Sequence, residues 1–228
     1  IEELNAFLPI ETALRNAYYK KDSSSVHNAG NTLSEEVFLP VQTSDPAENR
    51  FKEIMEVSFS GKYDVMTLRS PRARSDETPV HVTKHIRYLP PRKHVHEFFE
   101  FFYVLRGNCR HICDNQSYSL KSGDLCFWQY GIPHMILSNS DDLLAVNILL
   151  TKSDFSRYFS LALQQQNILE SYFSRILYGD GESPMVIFHT GDDERVSYLI
   201  CRMYQEYSKR PLGWQTSLTS CLSFLLVH

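Results

Sequence analysis

The stretch Pro90-Pro91-Arg92-Lys93-His94-Val95-His96-Glu97-Phe98-Phe99-Glu100-Phe101-Phe102-Tyr103-Val104-Leu105-Arg106-Gly107 decides how the rest of the chain is read. Side chains of an extended strand alternate between its faces, so His94, His96, Phe98, Glu100 and Phe102 are expected on one side. Two imidazoles and a carboxylate then point together into whatever that face lines. A second stretch follows, Gly123-Asp124-Leu125-Cys126-Phe127-Trp128-Gln129-Tyr130-Gly131-Ile132-Pro133-His134. Its Gly131-Ile132-Pro133 turn starts a new strand headed by a third histidine, His134. Adjacent barrel strands would bring His134 opposite His94 and His96. Three imidazoles and one carboxylate suit a divalent ion such as Zn, Fe, Mn or Ni.

Outward from these stretches, short β-prone runs lie near residues 82–88, 96–105, 108–113, 116–120, 124–128, 134–139 and 143–150. Gly107, Asp114-Asn115, Lys121-Ser122-Gly123 and Ser140-Asp141-Asp142 separate them, connections too short for crossover helices. That spacing predicts an antiparallel sandwich or barrel. Upstream, Ile10 to Lys20 reads as a helix started by Pro9, with Ile10, Ala13, Leu14, Ala17 and Tyr18 on one face. Residues 22–32 have loop composition, Tyr63 to Leu68 looks like a strand, and Arg69 to Pro79 is a charged loop.

After Thr151 the pattern turns helical. Ser153 is placed to cap a helix carrying Phe155, Phe159, Leu169, Tyr172, Phe173 and Ile176. Thr190-Gly191-Asp192-Asp193 fits a capping box for a second, striped by Val196, Leu199, Ile200, Met203 and Tyr207. Pro211 and Gly213 precede a last segment, Trp214 to His228, with Leu218, Leu222 and Leu225 at helical spacing. The expected layout is an N-terminal extension (1–81) packing on the barrel, a β-barrel (82–150) and a helical segment (151–228). The fold class is mainly β with C-terminal helices, α+β.

Composition excludes several function classes. Hydrophobic residues make up 43% and charged residues 22% of 228, ordinary for a globular protein. No apolar stretch approaches the roughly 18 residues that span a bilayer, so no membrane contact is expected. Five cysteines, without a C-x-x-C pair, predict free thiols in a reducing cytoplasm. A net charge of -4 speaks against duplex DNA binding by these residues alone. Arg87, Arg92 and Lys93 read as a solvated edge, and Trp128, Tyr130 and Tyr103 mostly as packing, with one or two able to stack on a ligand. The chain begins at Ile1 without a leader and reads as trimmed, and it stops inside or just after a helix.

The residues resemble a known family. His94-x-His96, three residues, Glu100, six residues, Gly107 resembles the first cupin motif, and Gly123, ten residues, His134, with Gly131 three before it, resembles the second. Three positions depart: Tyr88 replaces the first motif's leading Gly, Gln129 the usual Pro, and Ser138 the second motif's Asn, which comes one later at Asn139. Over roughly 82–228 the chain is most similar to the N-terminal domain of AraC/XylS-family transcription regulators. That resemblance implies a cupin-like double-stranded β-barrel (jelly roll) that senses a small-molecule effector, such as a sugar or related metabolite. His94, His96, Glu100, His134, Trp128 and Phe102 would line its site. It also implies a homodimer paired through the helices of Leu218, Leu222 and Leu225. The family's helix-turn-helix pair is absent from these residues, so DNA contact is expected only through that missing C-terminal domain. The alternative is a metal-dependent cupin enzyme, an isomerase or dioxygenase, with His94, His96, Glu100 and His134 holding its ion.

Overall fold

The computed structural model describes residues 2–24, 56–59, 66–69, 78–89, 91–162 and 185–228. Among them the strands are β1 (Glu56–Phe59), β2 (Met66–Arg69), β3 (Val80–Lys84), β4 (His94–His96), β5 (Phe99–Arg106) and β6 (Asn108–Cys113). They continue as β7 (Gln116–Lys121), β8 (Asp124–Trp128), β9 (His134–Leu137), β10 (Leu144–Leu150) and β11 (Met185–His189). The helices are α1 (Glu2–Asn5), α2 (Pro9–Ser24), α3 (Lys152–Ala162), α4 (Glu194–Lys209) and α5 (Trp214–Val227).

Two sheets form the barrel, one in the order β1-β2-β4-β9-β6-β7 and the other β11-β8-β5-β10-β3. Strand neighbours pair antiparallel except β2 with β4, which run parallel. This is a cupin-like jelly roll followed by helices. Between the sheets lie Phe102, Val104, Cys109, Leu120, Cys126, Trp128 and Ile136, all buried. The outer face of the five-stranded sheet buries Val82, Phe99, Phe101, Leu125, Phe127 and Ile148 against Val196, Ile200 and Met203 of α4 and Leu218, Leu222 and Leu225 of α5. Covered on both faces, β10 is buried at every residue and reads as the unbroken apolar run Leu-Ala-Val-Asn-Ile-Leu-Leu.

Several elements differ from expectation. The strand expected at 82–88 is Val80–Lys84, and the chain turns at Tyr88 with φ 61°, where the Tyr88 N–H bonds the Ser138 carbonyl. The run 96–105 divides at Glu97-Phe98 into β4 and β5, which belong to different sheets. Residues 56–59 and 66–69 supply strands to the six-stranded sheet, and β11 is a strand where only helices were expected. Thr151, not Ser153, caps α3, since its Oγ1 accepts the Asp154 N–H. Asp193, not Thr190, caps α4 by accepting from the Arg195 N–H, while the Thr190 hydroxyl donates to the Gly123 carbonyl. Leu169, Tyr172, Phe173 and Ile176 lie outside the described residues, as does the side chain of Phe159. No helix among the described residues is long and apolar enough to cross a membrane. All five cysteines are free.

Candidate ligand and metal site

The barrel interior gathers its polar groups from both sheets. His94 and His96 stand on β4, and His94 pairs in register with His134 at the head of β9. Glu100 and Trp128 are cross-strand partners on β5 and β8. The nitrogens of His94, His96 and His134 come together, with ligand atoms all within 4.8 Å of one another. Their ring centroids lie 5.0 Å (His94 to His96), 4.3 Å (His94 to His134) and 4.6 Å (His96 to His134) apart. Glu100 stands beside this group, its Oε2 3.3 Å from His96 Nδ1 and 4.0 Å from His134 Nε2. Phe98 departs from the predicted face: sitting at the break between β4 and β5, it joins the core under the helices while stacking on His96.

Local bonds orient the imidazoles. His94 Nδ1 and His134 Nδ1 each bond the backbone carbonyl two residues earlier, at Arg92 and Ile132, 2.8 and 2.9 Å away. A carbonyl only accepts, so each Nδ1 carries the proton and each Nε2 keeps its lone pair. That is the arrangement of metal-binding histidines held by an outer backbone bond. Burial favours neutral forms throughout. It lowers His134 to about 3, helped by repulsion from His94, and lowers His85 to about 4. It also lowers His94, and takes His96 and His111 far down. Burial raises Glu100 to about 8.

The structure adds groups that the motifs did not include. His111 on β6 is fully buried, pressed on Trp128 with ring centroids 3.3 Å apart and 4.9 Å from His134. His85, just past β3, meets Phe102 edge-on at 5.2 Å. Asn147 of β10 sits opposite Phe102. Trp128 lies parallel to His134 at 5.2 Å. Across this interior, His85 Nε2, His96 Nδ1, Glu100 Oε2, His111 Nδ1 and Nε2, Trp128 Nε1, His134 Nε2 and Asn147 Oδ1 are buried without a hydrogen-bond partner among the described residues. Buried polar groups are ordinarily satisfied, and each one left over costs about 1–3 kcal/mol. So many around one interior mark a place built to be filled by an ion, water or a ligand. The strand parity that places Cys109 and Cys113 together also places His111 with them, and that was the available signal. His85 follows its strand and carries none.

The chain from residue 83 to residue 166 matches the AraC-like ligand binding domain. This segment is an AraC-like ligand-binding domain. No curated protein matches the chain. The structure is similar to apo ToxT from Vibrio cholerae, at 14% identity and TM-score 0.47, covering 66% of this chain and 55% of that one. It is also similar to ToxT bound to an unsaturated fatty acid, at 15% identity and TM-score 0.45, covering 68% and 54%. A predicted oxalate decarboxylase from Thermotoga maritima is 28% identical over 32% of this chain and 64% of its own, with TM-score 0.26. The chain thus spans about half the length of the ToxT structures it matches.

Within the AraC-like domain, the predicted site residues fall in two groups. His96, Glu100, His134, Trp128 and Phe102 are buried and His94 half-buried, and all six belong to the barrel interior described above. Leu218, Leu222 and Leu225 lie elsewhere, buried in this chain's own core against α4, so they present no surface to a partner. The outward side of α5 instead carries Phe224 and Val227, 64% and 61% exposed. Arg87 is no solvated edge: it is 1% exposed and bound to Glu11.

Proposed function

We propose that this chain is the effector-sensing and dimerising part of a bacterial transcription regulator working in the cytoplasm, and not an enzyme. A small metabolite enters the barrel interior, and DNA is held by a helix-turn-helix domain outside these 228 residues. The observation that carries this reading is the set of unpartnered polar atoms inside an AraC-like ligand-binding domain. A purely structural barrel would fill that space with apolar side chains.

His94, His96 and His134 would hold a divalent ion (Zn, Fe, Mn or Ni), with Glu100 completing or orienting the set. The free Nε2 of His134 is the group that fits it best. When bound, such an ion supplies a Lewis acid that anchors oxygen donors. The effector signals by favouring one arrangement of α4 and α5 over another, a population shift that requires different affinity for the two. The shift would act through the contact in which His81 of β3 hydrogen-bonds the Tyr207 hydroxyl of α4 at 2.9 Å. The three-histidine group also favours one rival, a metal-dependent cupin isomerase or dioxygenase, which would consume its ligand.

The parent gene read past His228 provides the test. Two helix-turn-helix units are expected there, and an operator fragment should be retained by the full-length product but not by residues 1–228. A gene that continues into no DNA-binding element overturns the regulator reading.

A further inference from the structure

We propose that the barrel interior takes a small α-hydroxy acid together with the divalent ion, the acid's oxygens meeting both the ion and the Trp128–His111 wall. This rests on the reading above that His94, His96 and His134 hold the ion.

Charge comes first. An imidazole binds a metal only in its neutral form, so three of them leave both positive charges of the ion uncompensated. Glu100 supplies at most one negative charge. The buried cations of the described residues, Lys84 and Arg87, are both committed to the Glu11 carboxylate, so neither can stand in as a charge partner here. A buried net charge is costly unless paired, which makes a carboxylate the complementary guest. Without the ion, the described residues offer the interior no uncommitted Lys or Arg to receive that carboxylate. The acid and the ion must therefore enter together.

The hydrogen-bonding demands narrow the class. Trp128 Nε1–H is a donor only, is buried, and has no acceptor among the described residues. Its ring lies parallel to that of His134, 5.2 Å away, so the indole borders the three-histidine group. His111, against the same indole, has two unpartnered nitrogens, one a donor and one an acceptor in neutral imidazole. Asn147 Oδ1 makes the opposite demand and lacks a donor among the described residues. A carboxylate alone answers only the donors. A neutral sugar answers both but leaves the charge unpaired. An α-hydroxy acid supplies an anionic acceptor and a hydroxyl donor on adjacent carbons, and the same two oxygens chelate a metal that three protein ligands leave open.

The test is calorimetry on the 228-residue chain, stripped with chelator and then titrated with Ni²⁺ or Zn²⁺. Lactate follows, with propionate and xylose as comparators, each with and without the ion. Lactate should bind only to the ion-loaded chain, propionate about tenfold more weakly, and xylose not at all. Trp128→Phe and His111→Phe should each weaken lactate about tenfold, with ion content measured alongside so that loss of ion and loss of acid are read apart. If Trp128→Phe fails to fold by circular dichroism, His111→Phe decides alone. Lactate binding unchanged by removing the ion, ion-independent xylose binding, or full lactate affinity in the folded variants would each overturn the proposal. An ion taken up with no lactate binding refutes the acid alone. A chain that takes up no ion refutes the metal reading, and the proposal falls with it.

Discussion

A β-carbon added at Gly123 would stand 2.1 Å from the carbonyl oxygen of Gly191, and the backbone there has φ +84°. The close approach is useful, because the Gly123 carbonyl accepts both the Thr190 N–H and its hydroxyl, docking the end of β11 onto β8. Gly131 has a similar φ of +76° but no atom of the described residues within 4 Å of its added carbon. Gly123→Ala should therefore cost at least about 2 kcal/mol and Gly131→Ala about 1 kcal/mol, read from urea midpoints. Equal costs would mean the contact with Gly191 is idle. Tyr88 shows the same geometry from the other side: the leading glycine of the cupin motif falls at φ 61°, and here tyrosine occupies it. Its hydroxyl donates to Asp141 at 2.7 Å, which offsets the strain. Strand alternation was enough to read His94, His96, Glu100 and Phe102 from the residues alone. It would equally have delivered His111, between two cysteines of one parity. His85 was illegible, because it lies beyond its strand, where period two no longer applies.

Helix α2 was expected to dock by an apolar stripe, yet among its described side chains the buried one is Glu11. Its carboxylate accepts from the Leu8 N–H, Lys84 Nζ and the Arg87 N–H, Nε and a terminal guanidinium nitrogen, at 2.8 to 2.9 Å. Phe7 covers the Arg87 guanidinium at 3.6 Å. A polar dock of this kind leaves no periodic trace, since its partners are 73 and 76 residues away. Glu11→Gln leaves two buried cations without a counter-charge and should cost about 3–5 kcal/mol, with α2 losing its protection from hydrogen exchange. Burial alone would raise the Glu11 pKa, but the bonds from Arg87, Leu8 and Lys84 win and hold it below its ordinary 4.5. The unfolded chain then takes up this proton first. The contribution is complete above that ordinary value and drains away as pH falls through the folded one. Wild-type stability should fall more steeply than that of Glu11→Gln below pH about 4.5, and parallel pH profiles would show that the carboxylate carries no such linkage. At this scale β11 was also missed: Met-Val-Ile-Phe-His is a β-prone run, but the flanking helical pattern absorbed it.

At the scale of the molecule, the barrel was legible because short connections and alternating strands leave few other folds. The helices were legible as helices, but their outward faces were not. Leu218 and Leu222 repeat at four residues because they pack on α4 and the sheet, the same signal an interface would give. Both are fully buried, so Leu218→Asp is expected to unfold the chain rather than separate two copies. The pairing proposed for this protein must instead use the opposite side of α5. Phe224 and Val227, three residues apart and 64% and 61% exposed, share one side there. A twofold arrangement brings this patch against its own copy, the commonest closed assembly, and buries both apolar side chains at once. Light scattering over a concentration series should show a dimer for the wild type. The double substitution Phe224→Asp, Val227→Asp should shift it to monomer without lowering its melting temperature, because neither side chain supports the core. A dimer that persists in the double variant places the interface elsewhere. A wild-type chain that stays monomeric at high concentration removes the pairing altogether.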